Sequence, residues 1–141
     1  MYNFLLNFHS GWAYLVLLLT VILLVAVLYH YFTKKTVPHM LRRMAFFTVL
    51  SFHIQFLVGL VLYIVSPRIQ GFWEAGTAMS VSENRLLALE HPLMMFTAVI
   101  LLTIANAKLK KSPVVTTSVL IFIILAVLCF YMIPWMQWLQ G

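Results

Sequence analysis

Histidine is the residue type in this sequence whose side chains are the best candidates for ligand binding. His9 precedes an apolar run, His53 lies in the middle of another, and His91 lies near the start of a third. A buried imidazole within a lipid-spanning segment must hydrogen-bond or bind a ligand, so these three are functional candidates. Neutral imidazoles ligate haem iron and copper. We expect His30 and His39, which lie at polar ends of the runs, to be interfacial or solvated.

The segment around His91 carries further polar and soft groups. Glu90 precedes His91 and is a candidate partner or proton site, and Pro92 follows it and removes one helical hydrogen bond. Met94 lies one turn after His91 on the same helical face, with Met95 beside it. With His91 and a second histidine these thioethers would suit copper. Methionines that fill gaps in an apolar core are the alternative.

Four apolar runs of about 20 residues must position these side chains, since that length crosses a bilayer core. The chain has 141 residues, 64% hydrophobic and 9% charged, whereas a soluble domain carries about 25% charged residues. The runs do not alternate, which excludes barrel strands. The sequence predicts an all-α, integral membrane, up-and-down four-helix bundle in a single domain, 1–141. The predicted spans are 11–32, 44–66, 86–107 and 113–134.

Basic residues predict the orientation. Most lie in the first and third loops, and only Arg68 and Arg85 lie in the second. The positive-inside rule places loops one and three in the cytoplasm and both termini on the periplasmic side of a bacterial inner membrane. All four tryptophans then lie at the membrane–water interface on the outer side, where tryptophan is enriched in membrane proteins. The basic residues of loops one and three are Lys34, Lys35, Arg42, Arg43, Lys108, Lys110 and Lys111.

The composition and the missing motifs also argue against several classes of function. The basic residues sit at the ends of apolar runs, so we expect a lipid bilayer rather than nucleic acid as the partner. No phosphate loop, dinucleotide fingerprint, zinc-protease helix or nucleophile elbow occurs, and no Asp is present. Hydrolysis and phosphoryl transfer are therefore not expected. An electron carrier or a subunit fits better than a stand-alone enzyme.

The histidine positions suit a b-type haem (heme b), which needs two axial imidazoles at similar depth on opposite walls. The first and third helices of an up-and-down bundle are diagonal, which favours His9 with His91. This requires the first helix to begin near Asn3; if it begins at Ser10, His9 is interfacial. His53 with His91 is the second pairing, with about 10 Å of depth mismatch. Gly59, in the outer half of the second helix, would face the macrocycle or serve plain helix packing.

Three segments, 7–12, 53–60 and 90–95, resemble a family of small four-helix membrane proteins of Bacteroidetes-type bacteria that are often labelled cytochrome B. The resemblance covers nearly the whole chain. More remotely, the second and third helices look like the haem-binding bundles of haem A synthase and cytochrome b561-type proteins. The resemblance implies b-type haem and electron transfer, and it extends to His9, His53, His91 and Glu90.

The leading hypothesis is therefore an inner-membrane b-type cytochrome or respiratory-chain subunit. His9 and His91 would be axial ligands, with His53 an alternative ligand or a second site, and Arg68 or Arg85 would pair with the propionates. The chain would pass electrons between a quinol and a respiratory-complex partner. A non-haem accessory or assembly protein with a structural histidine network is the second hypothesis. A copper-binding protein is the third.

Overall fold

The computed structural model describes residues 1–140, and these are almost entirely helical, with no strand longer than one isolated bridge. A π-helical turn, Leu86–Glu90, joins the short helix Ser82–Arg85 without a break to the helix that begins at His91, and a 3-10 turn, Cys129–Met132, follows the helix that ends at Leu128. The helices are α1 Tyr2–Thr33, α2 His39–Val65, α3 Pro67–Glu74, α4 Ser82–Arg85, α5 His91–Lys110, α6 Thr117–Leu128 and α7 Trp135–Leu139.

Three helical stretches are long and apolar enough to cross a membrane: α1, α2 and the continuous helix Ser82–Lys110. In each of them, only 22% of the residues in the most apolar stretch are buried inside the protein. The remaining apolar side chains face outward, which is compatible with a membrane protein. The fourth predicted span forms a shorter apolar helix, Thr117–Met132.

The four apolar helices form a closed ring. Helix α1 packs against α2, α2 against α5, α5 against α6, and α6 against α1. Helices α1 and α5 therefore face each other across the interior. The centre of the ring is filled by fully buried aliphatic side chains, among them Leu23, Leu102 and Ile123.

The first and third loops meet at one end of the molecule. The Val37 amide donates to the Pro113 carbonyl at 2.8 Å. The Arg42 guanidinium, half-buried beside them, donates to the carbonyls of Leu109 and Ser112 at the end of α5. Helix C-terminal carbonyls lack intrahelical donors, so this arginine satisfies them and places a cation at the negative end of the helix.

Helix boundaries differ from the predicted spans for local reasons. Helix α1 begins at Tyr2, nine residues before the predicted 11, because the polar residues around His9 do not interrupt a helix. Helix α6 begins at Thr117, four residues after the predicted 113, because the chain before it is extended. The N-cap residue is Thr116, whose hydroxyl oxygen accepts a hydrogen bond from the Val119 amide. Helix α4 begins at Ser82, four residues before the predicted 86, and follows the extended N-cap residue Val81.

Candidate functional site

His9 and His91 lie side by side in the interior. Since α1 begins at Tyr2, His9 is two turns inside the helix, and His91 is the first residue of α5 on the opposite helix of the ring. Their ring centroids are 6.4 Å apart, and the ring planes make an angle of 82°. Both residues are half-buried. Of the two histidine pairings that the sequence suggests, the structure brings this one together.

Gly59 on α2 provides the space for the His9 ring. A Cβ atom at this position would lie 2.8 Å from Cε1 of His9 and 3.4 Å from its Nδ1. Carbon atoms in contact prefer about 3.5–4.0 Å, so any side chain here would displace the imidazole. Gly59 therefore contacts His9 itself, and its missing side chain fixes how closely α1 and α2 approach at this level.

One hydrogen bond sets the orientation of the His91 ring. Its Nδ1 lies 3.2 Å from the carbonyl of Met132, in the 3-10 turn after α6. A carbonyl oxygen only accepts, so Nδ1 carries the proton and the lone pair is on Nε2. This leaves Nε2 of His91 available as a ligand atom.

The surroundings of His9 contain unsatisfied polar atoms. The Gln55 side-chain amide donates to the His9 carbonyl at 2.7 Å, which ties α2 to α1. Among residues 1–140, however, neither Nδ1 of His9 nor Oε1 of Gln55 has a hydrogen-bond partner, although both are buried. A buried polar atom without a partner costs free energy, and native proteins rarely leave one without a ligand or an ordered water. A bound group or an ordered water would supply the hydrogen-bond partners that these two atoms lack.

The position of His91 depends on an irregular helical turn. In the π-helical turn, the His91 amide donates to the Leu86 carbonyl five residues earlier. The Ala88 carbonyl cannot accept from residue 92, because Pro92 has no N–H. The Tyr63 hydroxyl of α2 donates to this carbonyl at 2.8 Å, and the hydroxyl oxygen accepts from the Trp73 indole at 3.2 Å. Pro92 thus leaves the Ala88 carbonyl without its helical donor, and Tyr63 of the neighbouring helix α2 supplies a donor instead.

His53 lies apart from this pair. Its Nδ1 bonds to the Val49 carbonyl at 2.8 Å, and its Nε2 is 3.5 Å from the Thr103 hydroxyl. Thr103 follows His91 by 12 residues, or about 18 Å along the helix axis. His53 therefore does not meet His91, and its contacts are those of a histidine in an interhelical hydrogen-bond network.

The charged candidates lie at the edge of the site. Nε of Arg85 and Oε1 of Glu90 form an ion pair at 2.9 Å, and Arg85 also donates to the Met79 carbonyl. Both side chains are about a third exposed (39% and 31%), so the pair contributes little stability. The Arg68 guanidinium lies 5.6 Å from the Phe72 ring centroid.

Within residues 1–140, no group of three or more His, Cys, Asp or Glu side chains is placed to hold a metal ion. A haem would need only two protein ligands, and His9 and His91 would be the residues that hold it. A copper site would need the thioethers of Met94 or Met95, and Met95 packs against the apolar core.

Sequence reasoning identified the histidines but not their supports. From sequence alone, Tyr63 and Gln55 are polar groups of the second helix that suit either a quinone headgroup or an interhelical hydrogen bond. The signal for Tyr63 was present in the sequence, since Pro92 predicts an unpaired carbonyl at Ala88, four residues earlier. The partner that supplies the donor is a tertiary contact, which spacing does not reveal.

Comparisons with protein-family models, with curated proteins and with solved structures find no match to this chain.

Proposed function

We propose that this chain is an integral membrane protein whose four apolar helices span the bacterial inner membrane as an up-and-down bundle. The ring of helix contacts supports this, as do the three long apolar helices. The fourth helix and its 3-10 turn reach about 26 Å, close to the roughly 30 Å hydrocarbon core. The positive-inside rule would place loops one and three in the cytoplasm and both termini in the periplasm.

We further propose that the bundle binds b-type haem through His9 and His91. The observation that carries the proposal is the 6.4 Å between their ring centroids. At this separation His9 and His91 would hold one haem between them, and each would supply a neutral imidazole nitrogen to the iron. The donor set also fits, since Met132 orients His91 to present Nε2, and His9 has a buried nitrogen without a partner.

Haem in this position would supply reversible one-electron transfer. The chain's own residues would hold the two imidazoles, keep water out with the surrounding apolar core, and present the site near the outer surface. The function proposed is an electron carrier or respiratory-chain subunit that exchanges electrons with a quinol and a partner complex.

The test is the visible absorption spectrum of the detergent-purified protein, oxidised and then reduced with dithionite, for the wild type, His91→Ala and His53→Ala. We expect a Soret band that shifts on reduction in the wild type and in His53→Ala. In His91→Ala the sharp α and β bands of six-coordinate haem should be lost. A folded, colourless wild type from haem-replete cells would contradict the proposal.

One observation favours a second candidate, a non-haem accessory or assembly protein. The space over Gly59 is filled by the His9 ring. In that case, the histidines and Gln55 would form a structural network that joins α1, α2 and α5. A colourless protein without bound metal would support this candidate, and copper in the same preparation would support a metal-binding protein instead.

A further inference from the structure

The first turns of α2 line an open groove at the end of the molecule where loops one and three meet. The groove has a volume of about 330 Å³. Met40 is 74% exposed and Phe47 is 50% exposed. The lining residues are His39, Met40, Arg43, Met44 and Phe47. Their spacing places them on one face of the helix, with the basic groups toward its start and the apolar groups further along.

Two neighbouring arginines have different roles at this end. Arg42 is half-buried and donates to the carbonyls that end α5. Arg43 is exposed and lines the groove, and among residues 1–140 no side chain or carbonyl forms a hydrogen bond or ion pair with it. Its positive charge is therefore free to bind an anion from outside the chain.

None of the three acidic side chains lies at this end. The acidic residues are Glu74, Glu83 and Glu90, all in or beside the second loop at the opposite end, while seven basic residues lie in or next to loops one and three. An anionic headgroup with an acyl chain would complement both parts of the groove, since the phosphate meets a cation and the chain meets apolar side chains.

We propose that this groove binds an anionic phospholipid of the cytoplasmic leaflet. The headgroup phosphate would lie against Arg43, with His39 as a second donor, and an acyl chain would lie along Met44 and Phe47. The inference rests on the proposed membrane placement and is independent of haem.

The test measures binding of phosphatidylglycerol and phosphatidylcholine, in mixed detergent micelles, to the full-length protein. Arg43→Gln removes the groove cation, and Lys111→Gln removes one positive charge from the same end as a matched control. We expect preferential binding of phosphatidylglycerol, weakened by about fivefold in Arg43→Gln and hardly changed in Lys111→Gln. Phe47→Ala should weaken binding of both lipids, because it removes apolar surface from the groove.

Three outcomes would overturn the inference: equal binding of both lipids, equal losses in Arg43→Gln and Lys111→Gln, or full competition by inorganic phosphate. Equal losses would mean that the charge of the whole end, not the groove, attracts the lipid. Extraction with alkaline carbonate separates this failure from failure of the membrane placement. A protein that stays in the membrane pellet but has no lipid preference contradicts only the lipid site.

Discussion

Two residues of α2, Gly59 and Gln55, position His9. Gly59 leaves room for the ring, and the Gln55 amide bonds to the carbonyl of the same residue. The ring faces His91, whose own orientation depends on the Met132 carbonyl. The site thus joins α1, α2, α5 and the turn after α6, and a change in any one of these contacts should move an imidazole.

Gly59→Ala tests the contact between α1 and α2. The added Cβ would lie 2.8 Å from Cε1 of His9, so the ring or the helix must shift. Overpacking of this kind costs about 1–3 kcal/mol. We expect a lower thermal midpoint in detergent, measured by circular dichroism, and a weaker haem spectrum.

Gly11→Ala is the matched control, because nothing lies within 4 Å of a Cβ at that position. Alanine is the better helix former by about 0.5–1 kcal/mol, so stability should stay constant or rise. Equal destabilisation by both substitutions would show that the Gly59 contact is not specific.

At individual positions, the sequence predicts which side chains are candidate ligands but not all of their surroundings. Residue type and depth pointed to His9 and His91, because charges and imidazoles are rare in apolar runs. The spacing of residues did not establish whether His9 lies inside a helix. The structure shows that it does, because α1 begins at Tyr2. From sequence alone, Gly59 suits either macrocycle contact or helix packing, and its contact with His9 is a tertiary feature that spacing does not reveal.

At the scale of helices, the π-helical turn before Pro92 sets the direction of His91. Tyr63→Phe removes the donor to the Ala88 carbonyl and the acceptor of the Trp73 indole. A buried carbonyl left without a partner costs about 1–3 kcal/mol. We expect a lower free energy of unfolding in detergent and a changed environment for His91.

Pro92→Ala supplies the matched test for this turn. Alanine restores the N–H that the Ala88 carbonyl lacks, so Tyr63→Phe should cost less in the Pro92→Ala background. A double-mutant cycle on thermal or denaturant unfolding measures the coupling between the two positions. Strict additivity would refute the claim that tyrosine compensates for proline.

Arg42 and Arg43 offer a second comparison at this scale. Arg42→Gln removes charge-assisted hydrogen bonds to the end of α5, which are worth about 1.5–3 kcal/mol. Arg43→Gln removes the same charge from an exposed position and should leave stability nearly unchanged. Circular dichroism melts of the two variants check this, and equal effects would exclude a specific cap on α5.

The apolar runs predicted the long helices well, because a period-free apolar stretch of about 20 residues has few other structures available. The positions at which the helices begin and end were predicted less accurately. The fourth helix is shorter than its run because residues 113–116 take part in the contact between loops one and three, through bonds such as that of Val37 to Pro113. Such contacts join residues far apart in sequence, and local composition does not encode them.

At the scale of the whole molecule, the charge distribution predicts the orientation in the membrane. Cys129 is replaced by serine, and a single cysteine is then introduced by Lys35→Cys or Gln140→Cys. A membrane-impermeant maleimide applied to intact spheroplasts should label the cysteine at 140 and should label that at 35 only after permeabilisation. The reverse pattern would show that loops one and three face outward.

We propose that His9 and His91 together hold one haem. The most direct measurement is the haem content per chain of the purified wild type and of His9→Ala, His91→Ala and His53→Ala, expressed with ample haem. We predict about one haem per chain in the wild type and in His53→Ala, and little in the other two variants, because each loses one of two axial ligands. Equal haem content in all four proteins, or none in the folded wild type, would show that His9 and His91 do not bind haem as a pair.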